Sequence, residues 1–167
     1  MTVILGIDPG SRCMGFGLLT LAAGRPRYLA CGVVRPSAAA LPERLGELFA
    51  SIGELVALYG PTVAAVEEVF VARDPRAALR LGQARGAVIA ALARAGIPVV
   101  EYSARTVKQT VVGTGAATKA QVQHMVVQLL RLPAAPSPDA ADALGVAICH
   151  AHSGTGPLAA GVRRRRR

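Results

Sequence analysis

A chain of 167 residues has room for one domain with a sizeable core and not for two ordinary ones. Just over half of it, 52%, is hydrophobic, but no stretch approaches the ~18 uninterrupted apolar residues of a membrane span and no basic signal-peptide region opens it, so a cytoplasmic location is expected. The formal charge of +9 includes the terminal run Arg163 to Arg167, without which 14 bases face 10 acids. The three cysteines, Cys13, Cys31 and Cys149, match neither a disulfide framework nor a zinc pattern and are expected to be reduced and structural.

The first element is a strand at 2–8, "TVILGID", which ends on Asp8 ahead of Pro9 and Gly10. Turn chemistry alone accounts for those three residue types. "GFGLLTL" (15–21) and "YLACGVV" (28–34) are two more strands, and the short loops between them predict an antiparallel meander. Apolar residues recur at helical spacing from Leu41 to Tyr59, with Glu43, Glu47 and Glu54 on a polar side. "TVAAVE" (62–67) is a fourth strand, ending on Glu67; a helix follows from about Pro75 to Ala95, then a short strand at "IPVVEY" (97–102). The remaining third is mostly helical. Within it "TKAQ" (118–121) has the form of a capping box, which puts Lys119 in a first turn, where the helix dipole opposes a cation by roughly 0.3–1 kcal/mol. In "SPDAADAL", Ser137 suits the N-cap and Pro138 the first helical position, so Asp139 and Asp142 are neighbours on one face. The expected fold is α/β, one mixed sheet flanked by helices over residues 1–152, with 153–167 a flexible basic tail.

Asp8 and Glu67 both end apolar strands. If those strands are parallel neighbours, the two carboxylates share the crevice at their C-terminal ends, where open α/β sheets place ligands. A helix beginning with Asp139 and Asp142 could pack over the same end. Four acids so close raise one another's pKa values unless a cation neutralises them, and a donor set of oxygen alone selects Mg²⁺ or Mn²⁺ over zinc or copper. Two such ions per site, about 4 Å apart, are a known device for in-line displacement at phosphorus. His150 lies roughly 16 Å along a helix from Asp139, too far to share an ion, so it and His152 are expected to be structural or solvent-facing.

Eight bases fall between Arg73 and Lys119 against only Asp74 and Glu101, the regional excess expected of a nucleic-acid surface. On the helix from Pro75, Arg76, Arg80 and Gln83, with Arg73 just before them, form a polar stripe suited to a DNA backbone. Ala78, Gly82, Gly86 and Ala90 recur on another face, where small side chains admit either a partner helix or the chain's own sheet.

Taken together, "GIDPGSRCMGFG", "AVEEVF", "LGQARG", "VKQTVVGTG", "KAQVQHMV" and "DAADALGVAICHAH" resemble the RuvC Holliday junction resolvases, crossover junction endodeoxyribonucleases of the ribonuclease H-like superfamily. The resemblance extends to about residue 152 with the motifs in family order. It implies a five-stranded mixed sheet and a homodimer that nicks two strands of like polarity symmetrically at a four-way DNA junction, with Mg²⁺ or Mn²⁺. It further implies a preference for short thymine-containing sequences and cooperation with the RuvA and RuvB branch-migration proteins. Carried over by position, the catalytic and metal-binding acids are Asp8, Glu67, Asp139 and Asp142. The bases near the scissile phosphate are Lys108 and Lys119, the two lysines among 19 basic residues. Phe70 corresponds to an aromatic residue that contacts bases near the junction centre. "VARDPRAA", Phe16 and the penta-arginine tail depart from the family pattern without touching the acids. A ribonuclease H-like nuclease acting on RNA–DNA hybrid and a non-catalytic junction-binding scaffold are the rival expectations; an actin-like or sugar kinase needs a longer chain.

Overall fold

Strand β1 (Thr2–Asp8) is buried on both faces from Val3 to Ile7, which demands cover on both sides of the sheet. The structure, a computed structural model describing residues 2–68 and 74–153, supplies that cover. After β1 come β2 (Met14–Ala22), β3 (Arg25–Val34), α1 (Leu41–Tyr59), β4 (Val63–Glu67), α2 (Pro75–Arg94), β5 (Val99–Tyr102), α3 (Ala104–Val112), α4 (Lys119–Leu130) and α5 (Pro138–Ser153). The sheet order is β3-β2-β1-β4-β5. β1 pairs antiparallel with β2 and parallel with β4, while β3 and β5 extend the sheet antiparallel and parallel respectively. The predicted strands and mixed sheet are present. The helical third divides into three helices, of which α3 carries no strong signal of its own in the sequence.

Alternation along the strands assigns the two faces. Ile4, Leu19 and Ala65 join Val107, Val126 and Leu144 beneath α3, α4 and α5. Leu5, Leu18 and Ala64 join Leu48, Ile52 and Val88 beneath α1 and α2. Local chemistry delimits the helices. Asp74 accepts the Arg76 N–H at 2.9 Å and Ser103 Oγ that of Thr106 at 3.1 Å. The predicted capping box forms in full, with Thr118 Oγ1 accepting from Gln121 N–H and Thr118 N–H donating to Gln121 Oε1 at 2.8 Å.

The helix that matters most for position is α5. It runs across β1 and β2 with its backbone nearly in contact with theirs, and residues from Ala140 to Ala151 are buried apart from Asp142 and His150. This approach needs glycine in the strands: a Cβ on Gly17 would lie 2.8 Å from Leu144 N, and one on Gly6 would meet the backbone of Ala143 and Ala147. Gly17→Ala should therefore destabilise the fold by about 1–3 kcal/mol in chemical denaturation. Gly46→Ala on the exposed side of α1, where a Cβ meets nothing, should instead stabilise by about 0.5–1 kcal/mol.

Candidate active site

Because β1 and β4 are parallel with Ile7 opposite Val66, their next residues, Asp8 and Glu67, leave the sheet side by side. α5 brings Asp142 over the same end, α4 brings Lys119 from its first turn, and α3 brings Lys108. These five side chains, with Ala104, Val107 and Val122, line a cavity of about 190 Å³. Lys119 Nζ donates to Asp142 Oδ2 at 2.7 Å, and its side chain is 72% exposed against 15% for Asp142. That ion pair offsets the unfavourable position of a cation at a helix N-terminus.

Asp139 sits one turn before Asp142 but outside the cavity lining, where it accepts a hydrogen bond from Cys13 Sγ at 3.0 Å. The sequence reading missed this contact. Its only signal is that Cys13 follows Asp8 within the same tight turn, in which Gly10 lies against the Cys13 carbonyl. Burial and the neighbouring Asp139 hold the Cys13 thiol above its usual pKa.

The electrostatics are those of crowded carboxylates. Burial first, then Glu67 and Asp142, push Asp8 from its ordinary 3.8 up to about 7, with Lys119 opposing. Glu67 is raised as well, by burial and by Asp142, while Lys119, a hydrogen bond with Asp8 and Lys108 pull it down. Bonding to Asp142 raises Lys119. Among the described residues no three acids, histidines or cysteines stand close enough to enclose an ion unaided. The residues nevertheless fit Mg²⁺ or Mn²⁺: the donors are hard oxygens, and such ions use one or two carboxylates, waters and substrate phosphates in place of a protein cage.

The remaining candidates are placed differently. His150 Nδ1 lies 2.8 Å from Tyr102 Oη with the rings edge to face, and burial lowers its pKa. His152 Nδ1 lies 3.1 Å from the Ile148 carbonyl oxygen. Neither histidine lines the acidic cavity. Arg76 and Arg80 are exposed on α2, away from the cavity lining; Phe70 and Arg73 lie outside the described residues. α2 packs on the protein through Ala84, Val88, Ala91 and Leu92, leaving Gly82, Gly86 and Ala90 exposed beside Leu79. Packing on its own sheet is thus not what the small-residue stripe does.

A pH dependence follows. Between pH 4 and 7 the folded protein keeps a proton on Asp8 that the unfolded chain releases, so metal-free stability should fall as pH rises through that window. The full displacement corresponds to a change on the order of 4 kcal/mol, and Glu67 acts in the same direction. His150, whose pKa burial lowers, contributes with the opposite sign below its ordinary 6.5. Thermal unfolding should show the slope diminished in Asp8→Asn, which isolates this carboxylate, and flattened in wild type by millimolar Mn²⁺, which takes the place of the proton.

Comparison with known proteins gives the cluster its context. Residues 4–150 match the family model for the crossover junction endodeoxyribonuclease RuvC. The Tolumonas auensis RuvC is 55% identical over 153 residues, covering 92% of this chain and 88% of its own, and that of Shewanella frigidimarina is 54% identical over the same extent. Among solved structures, the Thermus thermophilus RuvC in complex with a Holliday junction substrate superposes with a TM-score of 0.85 at 38% identity, covering 92% of this chain and 95% of that one. The yeast mitochondrial Holliday junction resolvase shares the fold at a TM-score of 0.65 and 13% identity. With the family model spanning most of its length, the chain belongs to the RuvC family of crossover junction endodeoxyribonucleases.

Proposed function

We propose that this chain resolves four-way DNA junctions in recombination and repair by hydrolysing one phosphodiester in each of two strands of like polarity, with the acidic cavity as its active site. The observation that carries the reading is the convergence of Asp8, Glu67 and Asp142 from three separate elements, with two lysines on the same wall. In this reading Asp8, Glu67, Asp139 and Asp142 would hold two Mg²⁺ or Mn²⁺ ions, whose chemistry would be to activate a water and offset negative charge on the phosphate. The chain's own residues do the positioning. Half-buried Asp8 and Glu67 would serve as strand-end ligands, and the rise of Asp8 to about 7, caused by burial first and by the charges of Glu67 and Asp142 second, is what a divalent cation would offset. Lys119 is tethered to Asp142 yet largely exposed, so its ammonium can turn onto a non-bridging phosphate oxygen. Lys108, one helical turn along α3 from Ala104, lines the same cavity and would add a second positive charge toward the phosphate.

One such cavity makes one nick, and paired nicks need two related by a twofold axis. The exposed stripe of Gly82, Gly86 and Ala90 on α2 supports a homodimer joined through that helix. Phe70 would then contact bases near the junction centre, and Arg73, Arg76 and Arg80 would follow the DNA backbone. Action in the cytoplasm alongside the RuvA and RuvB proteins, with a preference for thymine at the cut, completes the reading.

Incubation with a mobile four-way junction, with and without Mg²⁺ or Mn²⁺, should give metal-dependent nicks at symmetric positions. Asp8→Asn should lower the rate by on the order of 10²-fold or more, the cost of losing a ligand and not merely its support, while junction binding persists. Preferred cleavage of RNA–DNA hybrid, or binding without nicks, would overturn the assignment. Gly86→Arg, placed where a side chain meets open space, should keep the fold, sediment as a monomer and lose the pairing of the two nicks.

A further inference from the structure

The α3 wall of the acidic cavity has a second side. Ala104 and Lys108 also border a neighbouring cavity of about 830 Å³, completed by Ser103, Arg105, Gln109 and the turn at 114–116. That turn lies between α3, which ends at Gly113 in the left-handed conformation (φ 91°), and the start of α4 at Lys119. Thr114 braces it from within, its Oγ1 accepting the Ala116 N–H at 3.4 Å, and one side chain of α3 ties it to that helix. Gln109 Nε2 donates to the Gly113 carbonyl at 2.7 Å, and Gln109 Oε1 accepts the Gly115 N–H at 3.1 Å. Both ends of the amide are engaged, so Gln109 sets where the turn stands relative to α3.

Arg105 runs against that turn. A Cβ on Gly115 would lie 2.7 Å from Arg105 Cγ and 3.3 Å from its Nε, so glycine leaves the space the arginine stem occupies. Among the described residues the ion pairs are Arg85 with Glu101 and Lys119 with Asp142, and neither uses Arg105 or Lys108. A guanidinium outside any ion pair, beside an ammonium whose electrostatic partner is Glu67 in the adjoining cavity, lies at the edge of an open concave surface contiguous with the acids and presents the donors an anionic ligand requires.

We propose that this cavity is a second phosphate subsite. It takes the phosphodiester adjacent to the scissile one on the same strand, with Arg105 as the contacting residue and Gln109 as the residue that positions its far wall. The inference rests on the acidic cavity being the nuclease site. Its consequence is register: with one phosphate held by Arg105, only one neighbour can stand at the acids, which is how positioning away from the chemistry lowers the barrier.

The test pairs protein variants with junctions carrying one neutral methylphosphonate linkage on either side of the cut, read by affinity without divalent metal and by single-turnover cleavage with Mg²⁺. Wild type should lose about tenfold when one of the two neighbouring linkages is neutral. Arg105→Ala should lose about as much on unmodified DNA and nothing more when that same linkage is neutralised. Gln109→Leu, with an unchanged thermal midpoint, should raise KM, leave kcat largely intact and spread the nicks to adjacent nucleotides. Indifference of wild type to both neutral linkages, or losses that simply multiply in Arg105→Ala, would overturn the subsite. A wild type that fails to cut the unmodified junction would reject the nuclease reading itself, a separate result.

Discussion

Helix α5 lies on β1 and β2 with almost no side chain between the backbones, and the rest of the molecule is arranged around that contact. Glycine at 6 and 17 removes the strand side chains that would hold the helix off, and Ala143 and Ala147 do the same from the helix side. A helix seated so low carries Asp142 down to the level of the strand ends, where Asp8 and Glu67 emerge. Were Gly17 to bear a methyl group, the helix would have to rise, and the acid on it would leave the other two. Packing and chemistry therefore share one set of atoms.

The same geometry makes the acidic end a local liability in the absence of a cation. Removal from water disfavours the charge of the two half-buried carboxylates at adjacent strand ends, and the neighbouring Asp142 disfavours it further in both. Lys119 is the built-in partial remedy. It sits on a different helix from Asp142, so their bond also ties α4 to α5 across the mouth of the cavity. A lysine serves here where an arginine would not, because a compact ammonium on a flexible stem exchanges one oxygen partner for another without demanding a planar fork.

Much of this was legible in the residues. Alternation and turn signals locate the meander, and Asp8 and Glu67 are visible as polar ends of apolar strands; the capping box at Thr118 and Gln121 anchors α4 where expected. The parallel pairing of β1 with β4 is a topological inference that the residue pattern supports but does not compel. Less visible were contacts made by loops and by residues with no periodicity. The bond from Cys13 to Asp139 spans 126 positions, and nothing in a lone thiol announces its partner. Gln109 was equally silent, because an amide on an exposed helix face looks like ordinary solvent-facing polarity until the turn it holds is seen. The small-residue stripe on α2 was ambiguous in sequence because spacing does not say which side of a helix the sheet occupies; Ala84, Val88, Ala91 and Leu92 answer that.

The depth at which α5 is seated also constrains how such a protein can diverge. Ten of its positions, from Ala140 to Ala151, are buried, and two of its others carry acids, Asp142 in the cavity and Asp139 one turn before it. Neither the spacing of those acids nor the angle of the helix can drift by small steps, since each intermediate would expose core and misplace a carboxylate at once. Segments that enter and leave the sheet carry no such double constraint, so a change in what the site accepts costs the scaffold least when it falls there.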